Sequence, residues 1–335
     1  MAAEASADLD RYGLSAAELR DLYTLLLRTR LLDERMRKLF KAGRFAGTYF
    51  SAVGQEATTV GPAYALRPTD WVAPSHRELG ALVAKRVPVE TILAQVYARR
   101  NSPDKGKSHP CHYSAPQHRF FTPASTVAGN TVVGVGIALA FKIRREDHVV
   151  ACFFGEGATS RGGWHEALNF AGVHKLPVVF VCQNNLWAES VPATLQAGIV
   201  DFADRAKAYG IPGVTVDGND VLEMYRHARD AVARARAGEG PTFIEAKTYR
   251  WYGHSEIDPA DYRTREELES WKARDPVPRI ERRLLDAGVI DAAFPEAIAA
   301  EINREVDAAA QVCEATPYAA PEEALDDVYA PAVRA

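Results

Sequence analysis

The sequence predicts an α/β fold, a doubly wound and mostly parallel sheet with helical extensions at both ends. Three observations carry that expectation. From about residue 120 onward, short apolar runs rich in β-branched residues alternate with helical stretches, as parallel strands joined by crossover helices do. An amphipathic segment precedes that region and a polar, helical one follows it. With 335 residues, 47% hydrophobic and 25% charged, the chain can bury a sizeable core and fits one large domain better than two equal ones. The expected division is an N-terminal helical arm over 1–45, an α/β domain over 46–280 and a helical extension and tail over 281–335.

Residues 15–42 place Leu19, Leu22, Leu25, Leu26, Leu32 and Met36 at helical spacing between charges. Such a stripe predicts an amphipathic helix that must pack on this domain or on another subunit. Val149–Phe154 and Val178–Cys182 read as strands around a helix over Trp164–Val173. Val214–Val216 and Phe243–Ala246 read as two more strands, flanking a helix over Val221–Ala237. After Trp271 the chain turns polar and helical, and Asp291–Ala315 has the pattern of a surface or interface helix. There is no internal repeat, and no low-complexity stretch beyond the Ala/Pro-rich tail after Ala315.

Charge and composition remove several function classes. The formal net charge is -4 and no basic stripe is present, so nucleic acid and anionic membranes have no electrostatic attraction here. Small molecules and proteins are the expected partners. No apolar run reaches transmembrane length, and Met1–Ser15 carries Glu4, Asp8 and Asp10 without an apolar core, which argues against a signal or transit peptide. A cytoplasmic enzyme is the expectation. Four cysteines in a chain of this size form no disulfide framework, and they read as reduced core residues. His109-Pro110-Cys111-His112 lacks a second Cys or His pair at zinc spacing, so no structural zinc is expected.

The informative centre is the βαβ unit from Val149 to Asn185. A right-handed crossover brings the carboxyl ends of its two strands to one edge of the sheet. Gly155-Glu156-Gly157 leaves the first strand there and Asn184-Asn185 leaves the second. The intervening helix begins near Gly162-Gly163 and points its N-terminal donors at the same edge, where an anion sits well. Glu156 would repel a diphosphate unless a cation stood between them. Oxygen donors from Glu156, the Asn185 amide and the Trp187 carbonyl suit Mg2+ or Ca2+, with phosphate oxygens completing the shell. Rival glycine motifs fail: no Gly-Lys-Ser/Thr follows, and Ser160 and Leu139 stand where dinucleotide fingerprints need a third glycine.

The run GEGATSRGGWHEALNFAGVHKLPVVFVCQNN, residues 155–185, resembles the thiamine diphosphate motif in the form found in alpha subunits of 2-oxo acid dehydrogenases. GQEATTVG (54–61), SHREL (75–79), HYS (112–114), VDGND (216–220), YRWYGHSEIDPADYR (249–263) and RDPVPR (274–279) fall in that family's order and register. The resemblance implies the thiamine diphosphate-binding fold, with Mg2+ held by Glu156, Asn185 and the Trp187 carbonyl. It assigns Gly157, Ala158 and Gln183 to the diphosphate side, Arg77 beside His76 to phosphate, and Ser125 and Val127 to the aminopyrimidine side. His254 matches the active-site histidine that contacts the diphosphate and assists acyl transfer. His76 replaces a tyrosine, and Glu156 a more common aspartate; Ala124, Gly129 and Asn130 depart from a potassium-binding segment of some members.

The family divides the cofactor-binding domains between alpha and beta subunits, and this chain is too short for both. The resemblance therefore implies a heterotetramer of two alpha and two beta chains that acts with a lipoyl-bearing acyltransferase. His112-Tyr113-Ser114, Pro278-Arg279 and an apolar Phe50 resemble the branched-chain members, which points to a 3-methyl-2-oxobutanoate type substrate. The alternatives are pyruvate or acetoin dehydrogenase and, in another class, a non-catalytic cofactor-binding subunit. That last reading would be expected to lose Glu156, Asn185 or His254, and all three are present. Ser255 aligns with a serine modified by kinases in animal relatives, although a plain loop serine is the simpler reading.

Overall fold

The computed structural model describes residues 7–45 and 47–329; the expectations for residues 1–6 and 330–335 fall outside them. Helix α1 (Ala16–Lys41) starts at a reciprocal cap, in which Ser15 Oγ accepts from the Glu18 amide at 3.3 Å and Glu18 Oε2 accepts from the Ser15 amide at 2.8 Å. Next come α2 (Glu56–Tyr64), β1 (Trp71–Ala73), α3 (Leu79–Ala84), α4 (Val89–Val96) and α5 (Gly129–Arg144). The central unit is β2 (Val150–Gly155), α6 (Gly162–Val173) and β3 (Val178–Asn184), each within a few residues of its expected bounds. A short antiparallel pair, β4 (Trp187–Ala188) and β5 (Val191–Pro192), leads into the single turn α7 (Ala193–Gln196). Then β6 (Gly213–Asp217), α8 (Val221–Arg236) and β7 (Thr242–Lys247) complete the sheet, and α9 (Arg265–Lys272), α10 (Pro276–Asp286) and α11 (Phe294–Ala315) close the chain.

The five main strands run in the order β1-β2-β3-β7-β6, every neighbouring pair parallel. Both faces of the sheet are covered, which is why its central strands read as unbroken apolar runs. Ala151, Phe153, Val179, Val181 and Ile244 face one cluster, shared with Leu22 and Leu26 of α1, Met224 of α8 and Val306 of α11. Cys152, Phe154, Phe180 and Phe243 face the other, with Ala138 of α5 and Trp164 and Leu168 of α6. The apolar stripe of α1 is thus buried on its own chain. The arm is also tied down by charge: Arg30 pairs with buried Glu56 of α2 and, at 2.9 Å, with Asp275 before α10.

Cys111, Cys152, Cys182 and Cys313 are all buried and free, as expected of reduced core residues. Among the described residues no helix is long and apolar enough to cross a membrane.

Candidate active site

The β2–β3 register fixes the site. Gly155 pairs with Gln183, so Glu156 and Asn185 leave adjacent strands at the same level, at the carboxyl edge where open α/β sheets bind ligands. Asn185 donates its amide to Glu156 Oε2 at 3.3 Å, and the Trp187 amide donates to Asn185 Oδ1 at 3.3 Å. An added Cβ on Gly157 would stand 2.9 Å from the Ala188 Cβ, so β4 can lie across the turn only because that position has no side chain. Ala158 is buried behind it.

A cavity of about 760 Å³ opens at this edge. Every residue assigned from the sequence to the cofactor or the metal lines it: His76, Arg77, Ser125, Val127, Glu156, Gly157, Ala158, Gln183, Asn185, Trp187 and His254. Ser125 and Val127 are exposed at its rim, on the segment before α5. Gln183 lies deeper and spends its amide on Glu78 Oε1 at 2.6 Å.

Glu156 is only 1% exposed, and its Oε1 has no hydrogen-bond partner. Burial pushes its carboxyl up to about 7. A buried carboxylate oxygen without a partner is costly unless a cation meets it. Among the described residues no group of three or more His, Cys, Asp and Glu side chains is placed to hold a metal ion. A cation here would therefore depend on amide and carbonyl oxygens and on oxygens from a ligand. That donor set fits a hard divalent ion.

Opposite charge lies a short way off. Arg77 and Arg250 are 6% and 1% exposed. Arg77 donates to the carbonyls of Ser51, at 2.8 Å, and His254. Arg250 donates to the carbonyls of Tyr252 at 3.1 Å and Glu189 at 3.0 Å, and to the Tyr262 hydroxyl at 2.8 Å. Among the described residues neither guanidinium forms an ion pair with a carboxylate. Burial, and then the charge of Arg250, lowers Arg77 to about 9; burial likewise lowers Arg250. Two buried guanidiniums on one cavity wall, neither in direct contact with a carboxylate, form a site for a multiply charged anion.

His254 stands beside them. Its Nδ1 is 3.2 Å from Arg77 Nη2, and because a guanidinium only donates, Nδ1 accepts and the ring proton sits on Nε2. Burial, Arg77 and Arg250 lower this histidine to about 3. Its amide is held by Asp258 Oδ2 at 2.5 Å, and a Cβ on Gly253 would come 2.2 Å from the Asp258 carbonyl oxygen. Phe50 sits at the centre of an aromatic cluster, with its ring centroid 4.5 Å from His76, 5.2 Å from His254 and 5.5 Å from His109. His109 and His112 face the cavity while Cys111 between them is fully buried.

The chain's residues 23–322 match the family model described as dehydrogenase E1 component. It belongs to the dehydrogenase E1 component family. Among its relatives, the 2-oxoisovalerate dehydrogenase subunit alpha of Bacillus subtilis is 41% identical, over 95% of this chain and 97% of the relative. The 3-methyl-2-oxobutanoate dehydrogenase subunit alpha of Mycobacterium tuberculosis is 42% identical, over 84% of this chain and 74% of the relative. The pyruvate dehydrogenase E1 component subunit alpha of Zymomonas mobilis is 35% identical, over 95% and 90%. The family implies a thiamine diphosphate enzyme, and the alpha-subunit relatives imply a beta partner.

Two residues of this E1 chain escaped the sequence reading. Arg250 follows β7 within the YRWYGHS run, yet only the fold brings it to Arg77. Glu78, in the SHREL run, is 1% exposed and accepts from Ser75 Oγ at 3.0 Å, from Gln183 and from the Arg77 amide at 3.1 Å. It thereby orders three residues of one wall. Nothing in the SHREL run itself signals that burial.

The buried acids set a pH dependence for the cofactor-free protein. Asp33, Glu78 and Glu156 are each raised to about 7, mainly by burial. A raised carboxyl holds its proton in the folded chain after the unfolded chain has lost it, so its stabilisation fades as pH rises through 7. The lowered histidines, His76, His109, His112, His165, His227 and His254, act oppositely, adding stability as pH rises through the ordinary histidine value of 6.5 and little beyond it. Urea unfolding midpoints of the cofactor-free protein are therefore expected to fall from pH 7 to pH 8.5. A midpoint that is flat or rises over that interval would show that these carboxyls are ionised in the folded state.

Proposed function

We propose that this chain is the alpha subunit of a branched-chain 2-oxo acid dehydrogenase, a cytoplasmic enzyme acting on 3-methyl-2-oxobutanoate type substrates. It works with a beta subunit in a heterotetramer of two alpha and two beta chains and passes the acyl group to a lipoyl-bearing acyltransferase. The observation that carries the reading is one cavity holding an unpartnered buried carboxylate oxygen on Glu156 and two buried guanidiniums, Arg77 and Arg250, neither in direct contact with a carboxylate. Such a wall suits a diphosphate bound partly through Mg2+ and partly through arginine.

Glu156, the Asn185 amide oxygen and the Trp187 carbonyl are the proposed metal donors. Gly157 and Ala158 let the chain backbone approach the phosphates, with Gln183 at the same wall. Bound thiamine diphosphate supplies the carbanion chemistry of decarboxylation; the protein places and surrounds it. Neutral His254 carries its proton on Nε2, from which it can donate a hydrogen bond to the diphosphate or to an oxygen reacting in acyl transfer. Ser125 and Val127, exposed at the rim, are where the beta chain would complete the aminopyrimidine side.

Phe50 supports the branched-chain assignment. An aromatic ring among His76, His109 and His254 offers apolar surface to an aliphatic side chain, and each additional methylene in such a pocket discriminates by about 10-fold or more. The test is the ratio of kcat/KM values for 3-methyl-2-oxobutanoate and pyruvate, measured on the alpha-beta complex with an artificial electron acceptor. A ratio above about 10 is expected. A preference for pyruvate would overturn the substrate assignment, and silence on both without bound cofactor would overturn the enzymatic reading.

A further inference from the structure

We infer that the ion pair between Arg37 and Glu256 is a latch that holds the His254 loop in place before any ligand arrives, making Glu256 a positioning residue. The inference rests on the place given to His254 in the proposed function. The contacts that carry it lie on the outer side of the loop, away from the cofactor cavity.

One face of α1 grips the loop on both sides of the histidine. Glu34, Arg37 and Lys41 stand three and four residues apart on that face. Arg37 meets Glu256 with two bonds, Nε to Oε1 at 2.6 Å and Nη2 to Oε2 at 3.2 Å, and Lys41 stands 3.8 Å from the same carboxylate. Both partners are withdrawn from water, with side chains 9% and 3% exposed. Arg37 also pairs with Glu34 at 3.1 Å and lies over the Tyr252 ring, and the Tyr252 hydroxyl donates to Glu34 Oε1 at 3.0 Å. Tyr252 and Glu256 are two residues before and two residues after His254. The Glu256 amide adds a third tie, donating to the Tyr49 carbonyl at 2.9 Å, next to Phe50. The loop between these grips is the wall separating the cofactor cavity from a second cavity of about 490 Å³, lined in part by Arg37, Lys41 and Glu256.

Arg30 of the arm also lies over the Trp251 ring, before the grips, and further contacts lie within the loop or on its inner side. Asp258 holds the His254 amide and the Tyr262 hydroxyl, the latter at 2.6 Å, and both lie within the loop itself. Arg77 holds the His254 carbonyl from the cavity side, and an arriving anion would compete for that guanidinium. Arg263 holds the carbonyls of Trp251 and Tyr252 from within the same segment, so the Arg37–Glu256 pair is the bidentate ion pair to the arm, and it does not compete with ligand. Bidentate, desolvated pairs are the strong ones, and removing one partner leaves a buried charge behind.

The experiment is amide hydrogen exchange on the alpha-beta complex, with and without thiamine diphosphate and Mg2+, for wild type, Arg37→Gln, Glu256→Gln and the double variant. In the cofactor-free proteins, exchange over residues 253–258 is expected to rise about 10-fold in each single variant, with the double variant no worse than either, as for a contacting pair. Strand β3 in the same digest reports global unfolding and should not change. Acyl transfer should lose kcat while KM for the 2-oxo acid stays within about 2-fold. Glu256→Asp, which keeps the pair, should restore most of the protection, including where the Gln variants loosen β3 as well. Unchanged loop exchange in both single variants, additive effects in the double, or no rescue by aspartate would each overturn the latch. If thiamine diphosphate binds to none of the proteins, the proposed function falls, while the cofactor-free comparison still decides the latch.

Discussion

Glu156→Gln is expected to abolish metal-dependent cofactor binding and, at the same time, to stabilise the cofactor-free protein. Both effects follow from one buried oxygen. Glu156 Oε1 lacks a partner in the folded chain and the carboxyl is raised to about 7 by burial. Because the carboxyl is raised from the ordinary glutamate value of 4.5, the ionised form costs the fold roughly 3 kcal/mol above pH 7, at about 1.36 kcal/mol per pKa unit. Glutamine removes that cost while keeping shape, so the thermal midpoint of the cofactor-free protein should rise at pH 8. Binding should move the other way. Residues that merely orient metal ligands contribute 10- to about 100-fold in affinity, so losing a ligand charge should weaken Mg2+-dependent thiamine diphosphate binding by at least about 100-fold. Calorimetric titration reads the second effect. A variant that binds cofactor as tightly as wild type would remove Glu156 from the metal.

His254→Gln should separate the two halves of the reaction. The imidazole is neutral, lowered to about 3 by burial and by two arginines, with Nδ1 committed to Arg77. Its Nε2–H is therefore the group free to donate a hydrogen bond to a reacting atom, since surrendering the proton itself would leave an imidazolate. Losing one preorganised donor of this kind costs about 10^2- to 10^3-fold, and that loss is expected in lipoyl-dependent turnover. Reduction of an artificial acceptor should fall by less than about 10-fold, since bound cofactor supplies the decarboxylation chemistry. Equal losses in both assays would show that His254 serves cofactor binding alone.

The legibility of the molecule from its sequence varied with chain distance. Val150–Phe154 and Val178–Cys182 are unbroken apolar runs because both faces of the sheet are covered, so strands, crossover helix and shared edge could be read directly. Glu156 and Asn185 came with that unit, since parallel register alone brings them together. The leucine stripe of α1 announced burial without naming its partner, which the structure supplies as the chain's own sheet layer and α11. The three-residue strand β1, at Trp71–Ala73, is too short to show a period.

Charge partnerships were the least legible. Arg77 and Arg250 lie 173 positions apart by number, and their shared lack of direct carboxylate contact exists only in the fold. The Arg37–Glu256 pair spans 219 positions, and each residue alone looks like part of a solvated face. Glu78 was passed over because a glutamate beside an arginine reads as a surface pair, whereas burial raises it and turns it toward Ser75 and Gln183. Resemblance supplied His254, Ser125 and Val127; local pattern would not have distinguished them from ordinary loop residues.

In the proposed function, a divalent cation held by Glu156 and Asn185 binds the diphosphate of thiamine diphosphate to this chain. The most direct measurement is calorimetric titration of thiamine diphosphate into the purified alpha-beta complex, once with Mg2+ and once with the metal chelated. Saturable binding at one site per alpha chain, present with Mg2+ and weakened at least about 100-fold without it, is the predicted result. Binding of equal strength in chelator would contradict the account, because the unpartnered oxygen of Glu156 would then face the phosphates with no cation between them.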